Sequence, residues 1–414
     1  MSASLQAPRG TFDVLPEAAE RRDEVEAAAR RILGAAGYGR IETPAFEATE
    51  LFARGVGEAT DIVQKEMYSF DDGGGRSLTL RPEGTAPVCR AYLEHGMQKL
   101  PQPVRLWYLS SFFRHERAQA GRYRQFWQVG AEAIGSDDPA LDAETILLLA
   151  ELLEALGVRE LRLRIGSLGS PETRASYREE LIAYLREHES ELSAAVRARL
   201  ELNPLRAFDA DHAGTRAVMA GAPRLLDRLS EEDAEHFATV RALLDDAGQA
   251  YEIDTALVRG LDYYTRTLYE FTSDALGAQS GVGGGGRYDG LIEQLGGRPT
   301  PGVGWAAGVE RILLAAGERA AGPSAIDLLV ARAPDDPSPT GLRLATEARR
   351  AGLSAELEAG GRSPKGQLKH ADRVGARWVA IVGPDSVSLK DMGSGEQREL
   401  RAADVVAAIT GRGA

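Results

Sequence analysis

Apolar and charged residues are interleaved at helical spacing through EAAERRDEVEAAARRILGAAGYG (17–39), an amphipathic helix brought to an end by Gly37 and Gly39. RIETP (40–44) then predicts a short strand stopped by Pro44. From RSLTLRPEG (76–84) to YRQFWQVGAEAIG (123–135) the rhythm shortens, and brief β-rich runs alternate with turn signals as in an antiparallel sheet. DAETILLLAELLEALG (142–157) predicts another helix. Between 170 and 248 the segments SPETRASYREELIAYLREHESELSAAVRARL and SEEDAEHFATVRALLDDAG are helical and highly charged, which reads as a helical insertion. Strand-like, glycine-rich sequence returns from 251 to about 317, and GERAAGPSA (317–325) follows as a linker. Beyond it, the runs IDLLVA, LSAELE and ARWVAIVG alternate with the helices TGLRLATEARRAG and SPKGQLKHADRVG. That is the pattern of a small α/β domain with a largely parallel sheet. The expected boundaries are 1–169 and 249–318 for two parts of one core, 170–248 for the insertion and 325–414 for the C-terminal domain.

A chain of 414 residues has room for two or three domains, and 43% hydrophobic with 27% charged residues is the make-up of a soluble globular protein. The N-terminus lacks an apolar signal-peptide core and no run approaches ~18 apolar residues, so no membrane association is expected. Cys89 is the only cysteine, which fits a reducing cytoplasm, and the six histidines are not spaced for a metal with it. No protein-ligated transition metal is therefore expected. The net charge of −13 argues against a protein that coats nucleic acid non-specifically. Residues 325–414 carry a net +1 and the remainder −14, so the last quarter is the less repulsive surface for a phosphate backbone.

Against that background LVRGLDYYTRTLYEF (257–271) stands out, because Arg259, Asp262, Tyr263 and Tyr264 crowd around Gly260 between residues suited to a buried strand. Arginine stays charged below pH ~12, so burying Arg259 calls for an anionic partner. TLRPEGTAPVCRAYL (79–93) sets Arg81, Glu83 and Thr85 around a Pro-Glu-Gly turn, either a solvated turn or one in which Glu83 pairs with an ammonium group. In FFRHERAQAGRYRQFWQVGAEAIG (112–135) two strands flank a basic loop with Arg114, Arg117, Arg122 and Arg124; a polar hairpin and a phosphate grip are both consistent with it. The strand period puts Phe126, Gln128, Gly130 and Glu132 on one face. SGVGGGGRYDGL (280–291) matches the dinucleotide glycine pattern only nominally, since no βαβ unit surrounds it, and no GxxxxGK[ST] loop occurs. Glycines in a sheet more often admit a close backbone or a ligand. PGVGWAAGVERILLA (301–315) runs from a strand into a helix near Gly308, placing Arg311 in a first turn where a lone cation is unfavourable. It is a surface arginine, or a group awaiting a strongly anionic ligand such as a triphosphate.

In their order along the chain, RGTFDVLP, TLRPEGTAP, GRYRQF, LVRGLDYYT, GGRYDGL and GARWVAIVG closely resemble the histidyl-tRNA synthetases, which are class II aminoacyl-tRNA synthetases. The likeness spans nearly the whole chain. It implies an α+β fold in which helices flank an antiparallel catalytic sheet, a helical insertion, a C-terminal α/β anticodon-binding domain, and a homodimer through the helix and strand ending at Pro44. The implied reaction is activation of L-histidine by ATP to histidyl-adenylate, then transfer to histidine tRNA, with Mg2+ bound through the ATP phosphates. By resemblance, Glu83 and Thr85 hold the histidine ammonium, Gln128 its carboxylate, and Glu132 and Tyr264 the imidazole, with Tyr263 in the pocket wall. Arg114 would grip the α-phosphate, Arg311 the γ-phosphate, and Arg259 would neutralise the α-phosphate during attack. A site that hydrogen-bonds both ring nitrogens would reject isosteres lacking them by ~10⁴ or more.

The largest departure falls in one loop. Where the family commonly has Arg-Pro-Gln-Lys-Gly, this chain has Arg117-Ala118-Gln119-Ala120-Gly121. Arg117 and Gln119 remain as candidates for the tRNA acceptor end, without the rigid proline and the second cation. Trp127 stands where histidine is usual and Gly283 where cysteine is common. The rival reading is a non-catalytic, histidine-sensing regulatory subunit of ATP phosphoribosyltransferase, which resembles the same core but typically lacks the C-terminal domain and degrades the Arg-Gly-Leu-Asp-Tyr-Tyr stretch. A synthetase-like RNA-binding or sensor module would need the loss of Arg114, Arg259 or Arg311, and all three are present.

Overall fold

The computed structural model describes residues 5–57, 60–119, 121–198, 200–201, 204–257, 259–277, 280–317, 326–333 and 338–411. Ala120, most of the 317–325 linker and Val258 lie outside the described residues. The chain divides into two compact units, Met1–Glu318 and Arg319–Ala414.

Alternation of side chains along extended backbone organises the first unit. Its eight-stranded sheet runs Gly39–Arg40, Val104–Phe113, Gln125–Ile134, Gly302–Gly308, Gly281–Arg287, Thr265–Ser273, Leu161–Ser167, Glu252–Ile253. The six inner strands pair antiparallel, and each short edge strand pairs parallel. One face presents Trp107, Val129, Ala131, Trp305, Tyr269 and Phe271 to a helical layer, where Val25, Ala29, Ile32 and Leu33 of the helix Pro16–Ala35 complete the main core. Those four positions fall at i, i+4, i+7 and i+8, the stripe of an amphipathic helix. The opposite face carries Tyr108, Gln128, Glu270, Gly284 and Ala306, which line cavities.

The strand expected over 40–44 is only Gly39–Arg40. Beyond it the carbonyls of Thr43 and Pro44 are taken by Arg81 Nη1, and Arg81 Nε donates to the Ser111 carbonyl at 2.8 Å. Arg81 is thus bound to backbone rather than to the cleft. Within 170–248, Pro171–Glu187 and Ala213–Ala220 bury Tyr177, Leu181, Leu185 and Val218 in a second core. The last helix, Glu231–Asp246, instead packs Phe237, Val240 and Leu244 into the main core.

Arg287, at the end of the glycine strand, is 0% exposed. Its Nε donates to both oxygens of Asp142 (3.2 and 3.0 Å), Nη2 also donates to Asp142, and Nη1 donates to the Ser136 carbonyl at 3.0 Å and to Asp289 at 3.2 Å. His236 reaches Asp142 from the helix Glu231–Asp246 at 3.3 Å. One buried ion pair with every donor satisfied therefore ties the sheet to two helices.

In the second unit the order is Ala355–Leu357, Leu328–Ala331, Trp378–Val382, Val387–Asp391, Gln397–Leu400. The first three strands are parallel, as their helical crossovers require, and the last two add antiparallel pairings. Only half of the sheet's pairings are therefore parallel, because the short turns after Val382 and after Asp391 each close a hairpin. Thr340–Arg350 and Ala402–Thr410 cover one face and Pro364–Arg373 the other.

Replacing Arg287 with leucine leaves Asp142 charged and buried, an imbalance worth ~3–5 kcal/mol. The expected result is a lower urea midpoint for Arg287→Leu by tryptophan fluorescence; a midpoint equal to that of the wild type would mean the network adds nothing.

Candidate active site

The open face of the sheet forms a cleft with two lobes that share Arg114, Arg122, Gln128, Arg259, Glu270 and Ala306. The inner lobe, about 440 Å³, is walled by Glu83, Thr85, Tyr108, Tyr263 and Tyr264. Tyr123, Phe126, Gly281, Gly283 and Arg311 wall the outer lobe of about 710 Å³.

Glu83 sits where the Pro-Glu-Gly turn enters the helix Thr85–Glu94, and its carboxylate accepts the N–H groups of Thr85 (2.8 Å) and Ala86 (3.0 Å). Capping the positive end of a helix explains why an acid occupies this turn. At 3% exposure, burial still pushes the carboxyl above its usual range, against those N–H bonds and the charge of Arg114. The Tyr263 hydroxyl donates to Glu83 Oε2 at 3.3 Å. Thr85 in turn donates to Glu132 Oε1 at 2.7 Å, and Tyr288 to Glu132 Oε2 at 2.8 Å. Glu132 is 0% exposed, and burial raises its carboxyl to about 8.

Two polar atoms in the cavity wall, Tyr108 Oη and Gln128 Oε1, are buried with no hydrogen-bond partner among the described residues. Leaving such groups unpaired is costly, which marks them as positions prepared for a ligand. Tyr108 reaches this position because Gly130 lies beneath it; a Cβ there would come within 2.3 Å of Tyr108 Cζ and 2.8 Å of the Trp305 carbonyl oxygen.

Cations converge on the lobes' junction. Arg114 Nε donates to the Pro82 carbonyl at 2.8 Å while its guanidinium lies 5.4 Å from the Phe126 ring centroid. Arg259 Nη1 donates to Glu270 Oε1 at 2.9 Å, Glu270 also accepts from Arg164 Nη2, and Arg164 pairs with Asp254 at 2.9 Å. Charges thus alternate in a chain that holds Arg259. Arg311 is the third residue of the helix Val309–Ala316, with Nε donating to the Gly281 carbonyl. No group of three or more His, Cys, Asp or Glu side chains among the described residues could hold a metal ion.

Of the residues singled out in the sequence, Glu83, Thr85, Gln128, Tyr263, Tyr264, Arg114 and Arg259 line the inner lobe, and Arg311 lines the outer one. Glu132 lies one layer behind the wall, bonded to Thr85 and Tyr288. Arg117 and Gln119 are exposed and line neither lobe. The sequence reading missed Tyr108, Tyr288, Arg164 and Glu270. Glu270 had a weak signal, since it stands in the same stretch as Arg259, eight residues beyond Asp262. Tyr108 had none, because only strand pairing shows that it faces Gly130.

Comparison with known proteins gives two family matches, "Histidyl-tRNA synthetase" over residues 10–312 and "Anticodon binding domain" over residues 333–412. The histidine–tRNA ligase of Halorhodospira halophila is 48% identical over 419 aligned residues, covering 98% of each chain. Among solved structures, apo histidyl-tRNA synthetase of S. aureus matches with a TM-score of 0.82 at 35% identity, over 98% of this chain and 100% of that one. A Bacillus halodurans chain described as an ATP phosphoribosyltransferase regulatory subunit/histidyl-tRNA synthetase matches at TM-score 0.66 and 22% identity, over 90% of this chain and 97% of that one. At that identity the likeness shows the fold alone.

The depth of Glu132 has a consequence that can be measured. Its folded value of about 8 lies above the ordinary 4.5, so the stability it contributes is full below 4.5 and lost as pH rises through about 8. Infrared spectra of the protein without added substrate are expected to show a protonated-carboxyl band at pH 7 that fades near pH 8 and is missing from Glu132→Gln. Identical wild-type and Glu132→Gln spectra at pH 6 would sink this assignment.

Proposed function

The chain belongs to the histidyl-tRNA synthetase family, and from that premise we propose how its cleft carries out the ATP-dependent attachment of histidine to tRNA. The protein is a class II histidine–tRNA ligase, and the observation that carries the mechanism is the junction of the two lobes. Arg114, Arg259 and Gln128 border both, so one set of groups serves both substrates.

The inner lobe takes histidine. Glu83, whose charged form is disfavoured by burial, gains from an ammonium group as a partner. The unpaired Gln128 Oε1 and Tyr108 Oη are available to polar groups of the amino acid. Glu132 belongs to the reading of the imidazole with Tyr264; its hydrogen bonds to Thr85 and Tyr288 support a role through those hydroxyls as well as by direct contact. The outer lobe takes ATP, with Arg311 toward the γ-phosphate and Arg114 toward the α-phosphate. Magnesium would enter on the nucleotide's phosphates and would supply positive charge there.

A carboxylate oxygen of histidine then attacks the α-phosphorus and pyrophosphate leaves. Arg259, poised by Glu270 at the junction, faces the charge that develops. The terminal adenosine of histidine tRNA next attacks the acyl carbon and AMP leaves. The 325–414 unit is the proposed anticodon-binding domain, which the match over 333–412 supports. Arg117 and Gln119, exposed in the loop, remain the proposed contacts to the acceptor end. A homodimer is also proposed, supported by the exposed Phe46 (50%) and Phe70 (45%), whose rings meet edge-on. A cytoplasmic location is proposed with it, supported by the single buried thiol of Cys89. The regulatory-subunit reading is disfavoured by the intact Arg259, Tyr263 and Tyr264 together with the C-terminal domain.

Purified protein is expected to exchange pyrophosphate into ATP with histidine alone among the amino acids. Losing one preorganised donor at a developing anion costs ~3–4 kcal/mol, or ~10²–10³ in rate. Single-turnover adenylate formation should fall by about that factor in Arg259→Ala while histidine binding, followed by calorimetry, changes far less. Near-normal adenylation in this variant would remove Arg259 from the chemistry.

A further inference from the structure

Tyr263, Tyr264 and Arg259 ride on a stretch that has no helix or strand among its described residues, Leu257 and 259–264. Its backbone groups must then be satisfied from elsewhere, or the loop would not hold three side chains in one geometry. The long-range tethers are few. The Asp262 N–H donates to the Val56 carbonyl at 3.1 Å. The carbonyls of Asp262 and Tyr264 both accept from one nitrogen, Arg174 Nη1, at 3.1 and 2.8 Å. Arg174 belongs to the helix Pro171–Glu187, the first of the charged stretch, and is absent from the walls of both lobes.

That helix is itself firmly seated. Asp233, 1% exposed, accepts the Ser170 N–H at 2.8 Å, the Thr173 hydroxyl at 3.0 Å and the Ser230 hydroxyl at 2.9 Å through one oxygen. Through the other it accepts Arg266 Nε at 3.1 Å, two residues beyond Tyr264. Arg266 has φ +45°, a left-handed conformation uncommon outside glycine, so the surrounding contacts hold it there. Root and helix are therefore fixed to the two ends of the Tyr264 backbone.

We infer that Arg174 is a positioning residue for histidine, setting the backbone from which Tyr263 and Tyr264 reach the inner lobe. A charged donor to two carbonyls makes stronger hydrogen bonds than a neutral one. The charged helical stretch thereby takes part in amino-acid recognition as well as in whatever it binds. This inference rests on the inner lobe being the histidine site.

The test is histidine-dependent pyrophosphate exchange for wild type, Arg174→Ala and Arg174→Lys, with melting midpoints measured alongside. Arg174→Ala is expected to raise KM for histidine about tenfold, equivalent to ~1.4 kcal/mol, while KM for ATP stays within about twofold. Arg174→Lys should recover most of the loss, since an ammonium can donate to both carbonyls. If the alanine variant does not fold, Arg174→Gln is held to the same criterion. An unchanged histidine KM, or equal rises in both KM values, overturns the positioning role. Wild-type protein without histidine-dependent exchange would instead overturn the functional reading, before any variant is compared.

Discussion

Alternation of side chains across the eight-stranded sheet, interrupted by register shifts near both ends of the Gly281–Arg287 pairing with Thr265–Ser273, is the constraint on which everything else in the first unit rests. A strand sends successive residues to opposite faces, so a single register decides which half of each strand is core and which half is site. Val129 and Ala131 are buried under helices because Gln128 and Gly130 are not, and a slip of one residue would exchange them. The antiparallel register sets Gly130 opposite Tyr108 and Ala306, and Ala306 opposite Gly284. A row of small residues thus lies beneath the cleft, and its depth is that of absent side chains.

Electrostatics then work in two opposite ways on that face. Carboxyls are pushed toward their neutral forms by burial, so Glu83 and Glu132 hold hydrogen bonds rather than ion pairs. The arginines cannot neutralise, and the fold supplies carbonyls and carboxylates for them: Pro82 for Arg114, Glu270 for Arg259, Gly281 for Arg311. A cleft prepared for a zwitterion and a polyphosphate needs both arrangements. An acid kept ionised by a neighbouring arginine would gain little from an incoming ammonium, and an unsupported arginine would be too mobile to meet a phosphate in one geometry.

Much of this was legible in the sequence, and the limits follow the range of the interactions. Pro16–Ala35 was legible because its buried stripe is a local pattern, and Pro139–Ala155 because its apolar run, buried on nearly every side, is local too. Glu83, Gln128, Arg259 and Arg311 were legible from resemblance, carried by short motifs. Tyr108 was not, since its orientation depends on pairing with a strand some twenty residues away in sequence. The depth of Glu132 was hidden too: strand period gives a face, whereas the hydroxyls of Thr85 and Tyr288 that cover it come from other elements. The last two strands of the second unit were overlooked because their residues, Val387–Asp391 and Gln397–Leu400, are short and largely polar. Arg81, charged and in the same turn as Glu83, carries a structural duty instead, donating to the carbonyls of Thr43, Pro44 and Ser111.

The placing of Arg259 on irregular backbone follows from the same alternation. A strand residue on the open face points along the sheet normal from a fixed row, so strands supply the floor and walls of the cleft but not a group that approaches from above. Reaching the junction of two lobes from that side requires a loop, and a loop requires outside anchors for its peptide groups. Here the anchors are the Val56 carbonyl, the Arg174 guanidinium and the Asp233 carboxylate that holds Arg266, all remote in sequence from Arg259. Freedom to place the cation where a strand cannot comes with dependence on residues that never touch a substrate. Substitutions at the root of the charged helical stretch therefore act on recognition through geometry, and their effects should follow the fit of the loop rather than its charge.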